Sequence, residues 1–198
     1  MALRLVVLAS GTGSLMRALL AARDGSFDVA ALITDVPDAG AIAIAEDAGL
    51  EVRVVRRDDF ADRVEWDEAL AGAIGEFHPD LVVSAGFMRI LGAAVLADFP
   101  DRIINTHPAL LPAFPGAHAV RDALAAGVSE TGCTVHVVDA GVDTGPVIRQ
   151  ERVPVQPGDD EATLHERIKS VERRLLVDVV RAIAAHGLTV HDRKVTIA

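Results

Sequence analysis

Leu3-Arg-Leu-Val-Val-Leu-Ala9-Ser10-Gly11-Thr12-Gly13-Ser14, continued by Leu15-Met-Arg-Ala-Leu-Leu-Ala-Ala22, reads as a buried strand, a glycine turn and a helix. The opening aliphatic run falls short of the roughly 18 residues that span a bilayer. It runs straight into glycines, which marks a strand rather than a signal peptide. The alternation then repeats, with strand-like runs at 29–33, 52–55, 81–85 and 102–105. Helical patterns lie between them, an alanine-rich one at 40–48 and another at 63–77 that stops at His78-Pro79. Such alternation implies βαβ units and a mostly parallel sheet. Past Gly116 the pattern changes. A helix suits 119–126, and two β-rich runs, 134–138 and 147–155, flank the loop that carries Asp143 and suit antiparallel pairing. Leu164, Ile168, Val171 and Leu175 recur at helical spacing and predict a long helix over 164–185. Residues 189–196 read as a short strand or tail. The expected fold is α/β: a mostly parallel, twisted, Rossmann-like sheet flanked by helices, with an antiparallel C-terminal part. No repeat or linker interrupts it, so residues 1–198 read as one domain. Its first half, about 1–100, suits nucleotide or phosphate binding, and about 101–198 suits catalysis.

The 198 residues are 51% hydrophobic and 24% charged, the balance of a folded chain with a sizeable core. A formal net charge of −10 argues against broad nucleic-acid binding, and no apolar run is long enough for a membrane span. A cytoplasmic location is expected, and a homodimer stays open. The lone Cys133 rules out an internal disulfide and reads as a buried strand thiol. The seven histidines are scattered, and no cluster has metal-ligand spacing.

The chemistry gathers where strands stop. Asn105 and His107 are two apart, so a strand backbone points both side chains to one side, and Pro108 then ends the ladder. An amide beside an imidazole suits a carbonyl carbon passing through a tetrahedral adduct, one donating to the oxyanion and the other carrying charge or a proton. Asp143, in Gly141-Val-Asp143-Thr-Gly145-Pro146, can keep that imidazole protonated if the two meet, although turn aspartates usually bond their own backbone. Asp139 has the same alternative and a weaker functional case. The turn Gly11-Thr12-Gly13-Ser14 aims backbone N–H groups and a helix N-terminus at an anion, or is a plain tight turn. It lacks the Walker lysine, and Met16 stands where a dinucleotide motif has its third glycine. The apolar run Ser84-Ala-Gly86-Phe87-Met88-Arg89-Ile90-Leu91 leaves a strand at a βα turn, where parallel sheets bind ligands. His136 reads as a satisfied strand histidine, His78 as a surface residue, and nothing in the spacing of His118 demands a role. Neither Ser10 nor Ser14 lies in a nucleophile elbow, so direct attack by a substrate amine is preferred to a covalent intermediate.

Asn105-x-His107-Pro108-x-Leu-Leu-Pro-x-Phe-Pro115-Gly116, with Asp143-x-Gly145-Pro146 after it, resembles the folate-dependent formyltransferases over nearly the whole chain. The resemblance implies their fold, with folate binding in the second half, and formyl transfer from 10-formyltetrahydrofolate to the amine of glycinamide ribonucleotide. It makes Asn105, His107 and Asp143 catalytic. It places the substrate phosphate on Thr12, Gly13, Ser14 and Leu15, the last standing where the family usually has asparagine. Glu172 would hold the ribose hydroxyls. Met88, Arg89, Ile90 and Leu91, together with Asn105, would line the folate site, and Arg63 would meet the glutamate tail. The folate is a consumed cosubstrate, and no metal or resident cofactor is implied. Within the family, the tRNA-specific enzyme carries a further C-terminal domain and the hydrolase usually an N-terminal one, and the one-domain reading expects neither. The rival from another class is a dinucleotide-binding module using Gly11, Gly13 and Asp35, which leaves Asn105, His107 and Asp143 unexplained. A catalytically dead scaffold is the remaining alternative.

Overall fold

A computed structural model describes residues 1–197, and two compact units divide at Asn105/Thr106. In the first unit five strands run parallel: β1 (Leu3–Leu8), β2 (Phe27–Thr34), β3 (Glu51–Val54), β4 (Leu81–Ser84) and the start of β5 (Ile103–His107). Their order is β3-β2-β1-β4-β5, so β1 is central and Leu5 to Leu8 have no exposed surface. Helices α1 (Ser14–Ala21), α2 (Gly40–Asp47), α3 (Arg63–Gly75) and α4 (Ala93–Asp98) connect them. Asp62 starts α3 by accepting from the Val64 and Glu65 amides. Trp66 is fully buried, donates to the Val55 carbonyl 2.9 Å away and stacks on Phe87.

The second unit holds α5 (Ala119–Ala125), the antiparallel pair β6 (Glu130–Val137) and β7 (Val147–Pro154), the long α6 (Glu161–His186), and a hairpin of β8 (Thr189–His191) and β9 (Lys194–Thr196). A capping box between Asp160 and Thr163 opens α6, which buries Leu164, Ile168, Leu175, Leu176, Val179 and Val180. The expected α/β class, with a mostly parallel sheet and an antiparallel C-terminal part, is the observed one.

Four local readings change. Helix α4 was not expected. The second strand starts at Phe27 rather than 29, and the sixth at Glu130 rather than 134. Gly132 lies inside this strand where nothing larger fits: a Cβ there would lie 2.1 Å from the Glu151 carbonyl. The last segment is a two-stranded hairpin. Among the described residues no helix is long and apolar enough to cross a membrane.

Candidate active site

In the first unit the glycine turn leaves β1 with Gly13 at φ +74. A Cβ at Gly13 would lie 2.8 Å from the Ala41 backbone, so only glycine fits against α2. The Ala41 amide bonds the Gly11 carbonyl, fixing the turn from the other side. The ladder of α1 begins with Arg17 donating to Gly13, which leaves the amides of Ser14, Leu15 and Met16 ahead of it at the positive helix end. Leu15 is 7% exposed. Its side chain belongs to the core, so a phosphate can meet this position only through the backbone.

The same turn is tied to the stretch after β4. Ser10 Oγ donates to Asp35 (2.6 Å) and accepts from the Met88 amide (2.9 Å), while Arg89 Nε donates to the other Asp35 oxygen (2.7 Å). Asp35, 6% exposed, is thus committed to Ser10 and Arg89. The dinucleotide reading loses the acid it needs. Arg63 Nη2 donates to the Ile90 carbonyl (2.9 Å), so it braces this stretch as well as offering charge. Asp67, 4% exposed, accepts from the amides of Gly92, Ala94 and Val95, and this caps α4. Arg63 and Asp67 line a cavity of about 430 Å³ together with residues 92–94. Met88 and Ile90 are 73% and 52% exposed. Large apolar side chains left in solvent at the carboxyl edge of a parallel sheet suit a flat, partly apolar ligand.

Asn105 closes the first unit as the half-buried third residue of β5. His107 ends the strand two residues on, buried, and opens the chemistry of the second unit. Its Nδ1 lies 3.3 Å from Asp143 Oδ2, and its Nε2 lies 2.7 Å from the Phe114 carbonyl. Both neighbours accept only, so the ring satisfies both only as the imidazolium. Asp143 Oδ2 also accepts from the Gly116 amide (2.8 Å), and Oδ1 lies 3.6 Å from His136 Nε2. Three donors converge on one carboxylate. His136 first, then the Gly116 amide and His107, hold the Asp143 carboxyl below the usual range against the opposing effect of burial.

Asp143, at φ +54, does not make the ordinary Asx turn. Asp139 does, accepting from the Gly141 amide and from Thr144 Oγ1. His136 is the group that sequence reasoning set aside. The pairing register shifts between Val135 and His136, and the His136 Nδ1 bonds the Val137 carbonyl. Its alternation in 134–137 was the only available signal. Glu172 is buried on α6, and burial pushes its carboxyl above the usual range, opposed by a hydrogen bond with Thr106 and by Lys169 and Arg173. Thr106 alternates to the other face of β5 from Asn105 and His107. His118 and His78 are exposed, and the buried Cys133 thiol is pushed up to about 12 by burial, leaving it inert.

A family model described as formyl transferase matches residues 3–180. A phosphoribosylglycinamide formyltransferase of Mycobacterium tuberculosis is 57% identical over 194 residues, covering 98% of this chain and 90% of its own length. The enzyme of that name from Escherichia coli K12 is 36% identical over 193 residues, covering 96% and 91%. The crystal structure of glycinamide ribonucleotide transformylase 1 from Symbiobacterium toebii matches with a TM-score of 0.95 at 41% identity, covering 98% and 93%.

Proposed function

The chain belongs to the formyl transferase family, and we propose that it moves the formyl group of 10-formyltetrahydrofolate onto the primary amine of glycinamide ribonucleotide. One observation carries the chemistry: His107 is pinned between a carboxylate and a carbonyl, two residues beyond Asn105 on one strand. The neutral amine attacks the formyl carbon, and a new C–N bond forms as the carbonyl oxygen takes up charge. Asn105 donates to that oxyanion. His107 acts through its positive charge, because both ring nitrogens already face protein acceptors. Asp143 sustains that charge and holds a water that carries the amine proton to the folate nitrogen as its bond to the formyl carbon breaks. One oxyanion donor is worth about 3 kcal/mol of barrier, roughly a hundredfold in rate.

Thr12, Gly13, Ser14 and the backbone of Leu15 receive the ribonucleotide phosphate, and Glu172 the ribose hydroxyls. Met88 to Leu91 and Asn105 form the folate wall, with Arg63 toward its acidic tail. The folate is consumed rather than retained. A spectroscopic assay of tetrahydrofolate formation, with glycinamide ribonucleotide as the amine, tests the assignment. Turnover with this amine is the expected result. Turnover only with a formyl acceptor of another class, such as an aminoacyl-tRNA or an amino sugar nucleotide, refutes it.

A further inference from the structure

We propose that Arg193, at the tip of the β8–β9 hairpin, is a positioning residue that braces the loop carrying Asp143. The inference rests on the role given to Asp143 above. Asp192 and Arg193 are consecutive residues at φ +47 and +60, flanked by the pair His191 and Lys194. That is a two-residue hairpin turn with both central residues left-handed, a conformation that usually takes Asn-Gly or Asp-Gly. An arginine in the second position is sterically unfavoured, so a contact must hold it.

The contact is visible. One guanidinium spans both ends of the loop, with Nη1 3.3 Å from Asp139 Oδ2 and Nη2 donating to the Thr144 carbonyl. These partners lie 54 and 49 residues away in sequence. They are also joined to each other, since Thr144 Oγ1 donates to Asp139 Oδ1 at 2.6 Å. The neck of the loop is shut below them. Val137 donates to the Pro146 carbonyl, and a Cβ on Gly145 would lie 1.7 Å from the Val137 carbonyl. Asp143 is the residue just before Thr144 and holds a left-handed backbone, so it stays in place only while its neighbours over-determine it. β9 packs on β7, the strand that leaves this loop, so the hairpin stands on the element it braces. Planar forked donation to two acceptors is what arginine supplies and lysine does not.

The test uses the full chain with Arg193→Ala and Arg193→Lys. Turnover, the KM for glycinamide ribonucleotide, melting temperature and amide exchange over 140–145 are all measured. In Arg193→Ala, kcat should fall about tenfold, because small misplacements of a reacting group cost this much or more. The KM should stay within about twofold, since Asp143 acts on the reacting centre. The melting temperature should move by no more than about 3 °C, because the ion pair is exposed. Exchange over 140–145 should quicken, and Arg193→Lys should fall between the two. An active wild type alongside an Arg193→Ala variant of unchanged kcat overturns the brace. So does a loss of kcat without faster exchange. A wild type inactive with this amine removes the assigned function instead, and the exchange result alone then upholds or overturns the brace.

Discussion

Asp143→Asn keeps the shape of the side chain and removes its charge. Three donors face the native carboxylate, from Gly116, His107 and His136. An amide offers them one oxygen and turns an N–H₂ on the other side, so at least one donor loses its acceptor. The larger effect is electrostatic. At 3.3 Å and an effective dielectric constant of about 20, an imidazolium–carboxylate attraction is about 5 kcal/mol, an upper bound for this largely buried pair. If half of it is retained selectively in the transition state, the barrier rises by about 2–3 kcal/mol, close to a hundredfold in kcat. Stability carries its own signature. Asp143 is held below the usual carboxylate range, so its ionised form stabilises the fold above pH of about 4 and that contribution disappears as pH falls through the lowered folded value. The variant should therefore be less stable at neutral pH and lose less than wild type on acidification below that point. Steady-state tetrahydrofolate formation at saturating folate and ribonucleotide gives kcat, and acid titration followed by circular dichroism gives the rest. A kcat within about threefold of wild type, or parallel acid transitions, would refute the reasoning.

Asn105→Ala and His107→Ala should each lower kcat at least about a hundredfold, with folate affinity by equilibrium titration changed only severalfold, because their effect is concentrated in the transition state. Glu172→Gln should raise the melting temperature at pH 7 by a few degrees, about 1 kcal/mol, and raise the KM for glycinamide ribonucleotide. The carboxyl is raised by burial, so its ionised form is a cost that sets in as pH climbs from the unfolded to the folded value; the stability gain should vanish below pH of about 4, and a gain at every pH would contradict it. Leu15→Asn should cost about 2–3 kcal/mol in denaturant unfolding, since it puts an amide into a core position, with KM for the ribonucleotide affected more than kcat; an unchanged midpoint would mean the side chain lies outside the core.

The strand and helix order was legible because burial imposes period: β1 reads as an aliphatic run and α6 as an i, i+4 stripe. What escaped depended on partners far along the chain. Helix α4 has six residues and no cap of its own; its amides bond Asp67, some 25 residues earlier, which no local pattern announces. The sixth strand was begun four residues late because the crowding that requires Gly132 comes from Glu151 on β7 and from Leu110. At the candidate site, Asn105 and His107 could be paired by strand alternation alone. Asp143 and Asp139 sit in the same turn with the same local alternative, and only the folded loop separates them: Asp139 takes the turn's own donors and Asp143 is released toward two histidines. His136 was missed for the matching reason, since its partner Asp143 lies across the folded loop.

A chain of net charge −10 proposed to act on a phosphate and an acidic folate faces long-range repulsion, and its donors answer this locally. The glycine turn carries no lysine or arginine between Ser10 and Ser14; it presents backbone amides at the head of α1, whose partial charge does not depend on the net charge. Beyond about 8 Å at physiological salt the surrounding carboxylates are screened, whereas a phosphate touching those amides is not. Arg89 is not a free cation for the ligand either, because the buried Asp35 takes its Nε and ties it to Ser10. The arginine's work there is partly mechanical, fixing the stretch after β4 against the anion turn. Neutral donors held by glycine geometry, with a few arginines spent on bracing, let an acidic surface coexist with anion recognition. The proposed reacting centre follows the same division, with one ionised carboxylate, Asp143, set beside the His107 ring.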